Sequence, residues 1–173
     1  ACGVMAGSSM AGGRRRPAVD LPWKAKIRES LVMRPAWLDG GDIHTLEALQ
    51  AIIERRNKGE SGIQWVEALT GDRFWKAMEA GSWDKGGWDN QLMETAFTRS
   101  NMIQVVRNNY GVVLPTVADL KRMAPQSYAY RFQYNDGTRA TALAFQESPG
   151  QGRILSDTPV AVRLKNDSMP RKR

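Results

Sequence analysis

The stretch that decides the fold class of this 173-residue chain is residues 128–145, YAYRFQYNDGTRATALAF. Aromatic side chains alternate with small or polar ones up to Asn135, and a second alternating run returns after Asp136-Gly137. Alternation with period two is typical of strands, and Asp-Gly is a strong hairpin signal. We expect a hairpin with a two-residue Asp136-Gly137 loop, in which Tyr128 lies opposite Phe145. That register predicts one aromatic face and one flat face rich in alanine, both of which helices can cover.

The sequence on both sides of this hairpin indicates an α+β fold. A third strand is predicted over Val160–Lys165, with Arg163 on its outward face. Apolar residues upstream recur with the helical period and end at glycines and prolines. These patterns predict helices over 42–58, 63–69, 72–80, 90–109 and 116–123. Asp42 or Thr45 is expected to cap the first of them and Asp89 the helix from residue 90, while Thr116 opens the last. We therefore expect an N-terminal extended arm, a helical region and then a small antiparallel β-sheet of about three strands.

Composition divides the chain into three segments. Residues 1–41 form a basic arm that contains Pro and Trp, which we expect to be irregular with a short helix over 25–32. Residues 42–165 form a single α+β domain, and residues 166–173 form a basic tail. Residues 1–19 contain no acidic side chain and are rich in Ala, Gly, Ser and Met. This composition is typical of an organelle transit peptide or its remnant, and equally of a flexible arm of a bacterial or viral protein.

The positive charge is concentrated near the two ends. The chain carries a formal net charge of +7, and Arg14-Arg15-Arg16 with Arg171-Lys172-Arg173 supplies six of those charges. A groove that follows nucleic-acid phosphates needs many Lys and Arg residues on one face, and the nearly neutral body predicts no such stripe. The basic ends fit RNA, an anionic membrane surface or an acidic protein partner. No apolar run approaches the roughly 18 residues of a transmembrane segment.

The residue inventory excludes several kinds of chemistry. One Cys cannot form an intrachain disulfide, and one Cys with one His cannot form a Cys/His zinc cluster. Neither of the glycine-rich phosphate-binding patterns is present, and no Gly-x-Ser-x-Gly nucleophile elbow occurs. We therefore expect no catalytic residue, no cofactor and no metal.

Two groups of carboxylates are the candidates against that expectation. Asp39, Asp42 and His44 could serve acid–base or hard-cation chemistry, but a Gly-Gly turn and a helix cap also explain this pattern. Asp84 and Asp89 flank a tryptophan-containing loop and could act as a glycosidase-like pair. Their places in a glycine-rich loop and at a helix start explain them without catalysis.

The tryptophans are the unusual feature of the composition. All six lie between Trp23 and Trp88, where they can form core, an interface, or a stacking surface for a base or small ligand. Because Trp and Arg often dominate interface energies, we expect them to contact a partner. The predicted partner-binding residues are Arg14, Arg15, Arg16, Trp23, Arg34, Trp37, Trp83, Trp88, Arg171, Lys172 and Arg173.

The leading functional hypothesis is a non-catalytic structural or interaction subunit. It would be a small basic peripheral component of a larger intracellular assembly, such as a ribosome or an energy-transducing membrane complex of a plastid or mitochondrion. The first alternative is a nucleic-acid-binding module that uses basic side chains of the arm and the helices. Those side chains are Arg14–Arg16, Arg55, Arg56, Lys121, Arg122 and Arg131. The second alternative is a ligand-binding protein or enzyme with a tryptophan-lined pocket near Trp83 and Trp88.

Overall fold

The computed structural model shows an α+β protein in which helices cover both faces of a mixed sheet. It describes residues 21–36, 41–56, 59–98, 100, 107–108, 111–112, 114–150, 154–155, 157–166 and 171–172. The helices in these ranges are α1 (Gly41–Ile53), α2 (Gly71–Ala80), α3 (Asn90–Phe97) and α4 (Val117–Met123). The strands are β1 (Ile27–Pro35), β2 (Ile63–Thr70), β3 (Arg107–Asn108), β4 (Gly111–Val112), β5 (Tyr128–Tyr134), β6 (Arg139–Phe145), β7 (Val160–Leu164) and β8 (Arg171–Lys172).

The main sheet has the strand order β2-β5-β6-β1-β7-β8, while β3 and β4 pair separately. β1 runs parallel to β6, and the other neighbours are antiparallel. The α+β class is therefore confirmed, but the expected number of about three strands is too low. Five strands have five residues or more, and the two-residue β8 extends the sheet within the predicted basic tail.

The predicted hairpin is present as β5 and β6, with a register that differs by one residue from the expected one. Gly137 donates its N–H to the Tyr134 carbonyl at 3.0 Å, and Tyr134 donates to the Thr138 carbonyl at 2.9 Å. The loop therefore has three residues, and Gly137 adopts the left-handed conformation (φ 79°) that such a loop requires. Tyr128 consequently lies opposite Ala144, not Phe145. Because a one-residue slip changes the faces of a strand, Leu143 lies on the face opposite to the tyrosines.

β1 replaces the irregular arm and the short helix that were predicted over these residues. The four residues Ser30–Met33 are completely buried, because β6 and β7 flank β1 and helices cover both of its faces. A strand buried on both faces shows a continuous run of buried positions without alternation. The prolines and basic residues around this short run made it look irregular.

β2 replaces a predicted helix over residues 63–69. It pairs antiparallel with β5, from Ile63 opposite Tyr134 to Thr70 opposite Tyr128. A short apolar run fits a helix or a strand equally well by period, and here the pairing with β5 decides. The predicted break at Thr70-Gly71 is confirmed, since α2 begins at Gly71.

The other helices begin within one residue of their predicted starts, but two of them end earlier than predicted. α1 ends at Ile53, before the predicted end at Lys58, and α3 ends at Phe97, before the predicted end at Asn109. Residues 107–108 form β3, while 101–106 lie outside the described residues. The predicted cap Asp89 is confirmed, because its carboxylate accepts from the first turn of α3, whereas Asp42 and Thr45, the predicted caps of the first helix, lie within α1. Thr116, predicted to open the last helix, forms a reciprocal capping box with Asp119.

Two apolar cores lie on opposite faces of the sheet. On one face α1 packs against β1 and β6, and the core contains Val32, Leu49, Ile53, Phe132 and Ala142. On the other face α2, α3 and α4 cover a larger core with Leu31, Phe74, Trp88, Phe97 and Phe145. In the described part of the chain no helix combines the length and apolarity needed to cross a membrane.

Candidate functional site

Three large apolar side chains are exposed on β2, an edge strand of the sheet. Ile63 is 49% exposed, Trp65 37% and Val66 53%. No other described strand pairs with the outer side of β2. Natural edge strands usually avoid pairing with other chains by means of short length, proline, lysine or a covering element. β2 has eight residues and contains neither proline nor lysine. We name Ile63, Trp65 and Val66 the edge patch. They form a surface to which another chain has access.

A fixed stack of aromatic and guanidinium groups supports the edge patch from one face. Trp65 stacks on Trp83 with a centroid distance of 5.7 Å, and the Arg131 guanidinium lies 4.2 Å from the Trp83 centroid. Arg131 is buried and donates to Glu67 Oε2 at 2.6 Å and to the Trp83 carbonyl at 2.9 Å. Cation–π contacts gain strength when they are shielded from water. Trp65 is therefore held in place before any partner arrives.

On the opposite face the edge patch continues the apolar surface of β5. Val66 lies opposite Phe132, and Ile63 lies opposite Tyr134. α1 packs on the middle of the sheet, against β1 and β6, and Val66 stays half exposed beside it. The two faces of β2 therefore both present apolar side chains next to a free strand edge.

The two tryptophans of the loop between α2 and α3, proposed as the lining of a pocket, are both buried. Trp88 is completely buried in the core and donates its indole N–H to the Met93 sulfur at 3.4 Å. Trp83 is 7% exposed, beneath Trp65 and the Arg131 guanidinium. Trp83 and Trp88, which were predicted to contact a partner, are therefore both buried within this chain. Trp65, which the sequence reading did not select, is the exposed member of the stack.

Asp84 and Asp89 each have a structural partner. Asp84 forms an ion pair with Arg139 at 2.8 Å. Asp89 caps α3 and accepts from Arg163 Nε at 2.6 Å. Arg163 was predicted to point outward, but it lies buried between β7 and the start of α3. These contacts give both carboxylates a role in fixing the loop and helix on the sheet.

Glu29 is a buried carboxylate on β1 that the sequence gave no reason to select. One of its oxygens accepts the Asp89 N–H at 3.2 Å. Burial raises the pKa of Glu29 above its usual value, and the hydrogen bond from Asp89 opposes that rise. Glu29 thus ties the start of α3 to the centre of the sheet.

Asp42 holds the first turn of α1 to β5 through two phenols. Tyr128 Oη donates to one carboxylate oxygen at 2.6 Å, and Tyr130 Oη donates to the other at 2.8 Å. Burial, followed by the hydrogen bond to Asp42, raises the pKa of both tyrosines, so the phenols stay protonated at neutral pH. Arg34 at the end of β1 donates to the Gly41 carbonyl at the same helix start. The arrangement joins β1, α1 and β5.

The predicted acid and histidine group does not assemble as one site in the described structure. Asp39 lies outside the described residues. His44 Nδ1 contacts Glu47 Oε2 at 3.3 Å, whereas Asp42 is occupied by the tyrosines. No group of His, Cys, Asp and Glu in the described residues is suited to hold a metal ion.

The predicted partner-binding residues of the two ends are only partly described. Arg14, Arg15, Arg16, Trp37 and Arg173 lie outside the described residues, and Arg171 and Lys172 form β8. Trp23 is 73% exposed, with the Arg55 guanidinium 5.4 Å from its ring centroid. Arg34 is half-buried against the start of α1. The structure does not bring Trp23 and Arg34 into one surface with Trp83 and Trp88.

The cationic residues proposed for nucleic acid binding are divided between the interior and the surface. Arg56 and Arg131 are buried and form ion pairs with Asp136 and Glu67. Arg122 on α4 is exposed. Arg56 and Arg131 therefore contribute to the fold and are not on the surface as phosphate ligands.

The sequence did contain a signal for the edge patch. Ile63, Trp65 and Val66 are β-branched or aromatic residues, and Thr70-Gly71 ends their run as turn residues end a strand. That composition favours a strand over the helix that was predicted. No protein-family model, curated protein or solved structure matched the chain when it was compared with each of the three.

Proposed function

We propose that this protein is a non-catalytic interaction subunit that binds an extended segment of another protein along the outer edge of β2. The observation that carries the proposal is the edge patch: three exposed apolar side chains on an edge strand without lysine or proline. An added strand gains affinity from main-chain hydrogen bonds and specificity from side chains on alternate positions. Ile63, Trp65 and Val66 offer contacts on both faces of such a strand.

The energetics favour an apolar partner segment. Full burial of a large apolar side chain contributes about 1.5–3 kcal/mol of free energy. The three side chains of the edge patch are only partly buried, so a partner that covers them gains part of this free energy on binding. Trp65 adds an aromatic anchor whose position is already fixed by Trp83 and Arg131. A preordered anchor loses little conformational entropy on binding.

This proposal moves the docking surface away from the arm. The sequence predicted docking through residues 14–38, but residues 27–35 form the buried strand β1. Membership of a larger organellar assembly, and contact of the basic ends with RNA or an anionic membrane, remain predictions. Arg14–Arg16 and Arg173, on which those contacts would depend, lie outside the described residues.

A charge placed on the edge strand tests the proposal. The native protein is extracted gently, separated by size, and its co-migrating proteins are identified, in parallel with the variants Val66→Lys and Ile43→Lys. Ile43 on α1 is 60% exposed, so Ile43→Lys is the matched control away from the strand edge. We expect Val66→Lys to lose the partner at an unchanged Tm, because a lysine at an edge opposes strand pairing, and Ile43→Lys to retain it.

Three results contradict the proposal. The native chain migrates as a monomer; it migrates as a dimer of itself with no other protein; or Val66→Lys retains the partner as fully as Ile43→Lys does.

A further inference from the structure

An open cleft lies at the end of the sheet where β1 begins and β7 ends. Its volume is about 420 Å³, within the range of small-molecule sites. The buried side chains of Ala25 and Ile27 provide an apolar wall. Polar groups line the remainder, which comprises Lys26, Arg56, Asp136, Thr138, Lys165 and Asn166.

Two lysines that line this cleft are joined by a backbone hydrogen bond. Lys26 precedes β1 and Lys165 follows β7, and the Lys165 N–H donates to the Lys26 carbonyl at 2.8 Å. Like charges on directly adjacent strand positions repel each other. Neither ammonium forms an ion pair with another described residue. The backbone therefore places next to each other two lysines that have no ion-pair partner among the described residues.

Arg56 lines the same cleft as one half of a fixed ion pair. Its side chain is only 2% exposed and donates through Nε to Asp136 at 2.7 Å. Further donation to Ser61 Oγ at 2.6 Å and to the Ile53 carbonyl at 3.0 Å orients the guanidinium, which also lies over the Tyr134 ring. Asp136 balances this one charge, so the lining keeps the two lysine charges in excess. Because Asp136, Ser61 and the Ile53 carbonyl already bind the Arg56 guanidinium, the charge left for an anion in this cleft is that of the two lysines.

We propose that this cleft binds a small molecule that carries a phosphate monoester. A phosphate monoester has close to two negative charges at neutral pH, which matches the two ammonium groups, whereas a carboxylate has one. The volume exceeds that of a phosphate group alone, so the organic part of the ligand lies against Ala25 and Ile27. None of the lining residues belongs to β2, and the inference is therefore independent of the edge patch.

Calorimetric titration with matched probes tests the proposal. The probes are phenyl phosphate and benzoate, which place a double and a single negative charge on the same ring, and inorganic phosphate, which lacks the ring. All titrations use the full chain at neutral pH and constant ionic strength. We expect phenyl phosphate to bind at least tenfold more tightly than benzoate, and more tightly than inorganic phosphate.

Variants assign the binding to the cleft. We expect Lys26→Gln/Lys165→Gln to weaken phenyl phosphate binding at least tenfold, whereas Lys121→Gln, an exposed lysine of α4, leaves it unchanged. The single variants Lys26→Gln and Lys165→Gln give intermediate losses, which keeps the test decisive if the double variant does not fold. Val66→Lys leaves phosphate binding intact, which separates this site from the proposed docking function.

Several outcomes would overturn the assignment. They are no binding of phenyl phosphate, equal affinity for benzoate, equal loss in Lys121→Gln, or binding that the double variant retains. A single-stranded RNA oligonucleotide that binds through Lys26 and Lys165 while phenyl phosphate does not bind would also overturn it, in favour of a polyanion surface.

Discussion

β1 and β2 belong to the same sheet but have opposite environments. β1 lies between β6 and β7, and its residues Ser30–Met33 are completely buried. β2 lies at the edge, and its first four residues are exposed. Yet β1 contains three charged residues and β2 contains one. The less polar strand is therefore the more exposed one. The position of a strand in the sheet, and not its polarity, decides its burial here. The apolar surface of β2 is consequently available for another chain.

The largest expected effect comes from removing a core side chain of β1. Leu31→Ala deletes apolar contacts from a completely buried site and leaves a cavity, so we expect the free energy of unfolding to fall by about 2–5 kcal/mol. Ile63→Ala on β2 is the matched control, with an expected loss of about 1 kcal/mol or less because Ile63 is half exposed. Denaturant unfolding measures both, and equal losses would remove the contrast between the two strands.

A smaller loss is expected where β2 supports the buried guanidinium of β5. Glu67→Ala removes the carboxylate that accepts from Arg131 and leaves that buried cation with one partner fewer. The expected loss is about 1–3 kcal/mol, the cost of an unsatisfied buried donor. Glu94→Ala, at an exposed position of α3, serves as the control with an expected change of no more than about 0.5 kcal/mol. If Glu67→Ala lowers the free energy of unfolding no more than Glu94→Ala does, the ion pair between Arg131 and Glu67 does not hold the edge patch in place.

The pH dependence of stability tests the burial of β1 through Glu29. Burial raises the pKa of Glu29 above its usual value of 4.5, so over a window above that value the folded state holds more protons than the unfolded state. The contribution of Glu29 to the free energy of unfolding therefore declines as pH rises through this window. We expect Glu29→Gln to lack this decline, so that its stability relative to the native chain improves as the pH rises above the usual glutamate pKa of 4.5. Parallel stability curves for the two proteins would show that Glu29 is not desolvated by folding.

The smallest expected change in stability is that of Val66→Lys. An exposed position on an edge strand tolerates lysine, and we expect the free energy of unfolding to change by no more than about 0.5 kcal/mol. Thermal unfolding of the isolated chain measures it. A loss above about 2 kcal/mol would mean that another part of the chain covers Val66, and the edge patch would then be core.

The sequence allowed accurate prediction where local signals agree. Asp89 was identified as a cap because a side chain that accepts from the first turn acts over three residues. The hairpin was identified from its alternation, but its register was not. Asp136-Gly137 fits both a two-residue loop and the end of a three-residue loop, and the hydrogen bond from Tyr134 to Thr138, which closes a three-residue loop, distinguishes them.

The candidate surface was harder to predict than the fold. Trp65 and Trp83 are the same residue type and stack on each other. Yet Trp65 is partly exposed and Trp83 is buried beneath it. The cleft is lined by residues from four segments: the start of β1, the region after α1, the β5–β6 loop and the end of β7. No single stretch of sequence therefore predicts it. Surfaces that depend on several distant segments are decided by packing.

By itself the sequence determined the α+β class, the existence of the hairpin, the starts of α2 and α4 and the cap of α3, because each depends on backbone preferences within a few residues. Tertiary structure alone decided that β1 is central, that β2 is a strand at the edge, and that Arg56, Arg131 and Arg163 are buried. The physical reason is that strand pairing and charge burial depend on partners distant in sequence. Arg131 finds Glu67 on the neighbouring strand, and Arg163 finds Asp89 at the start of α3.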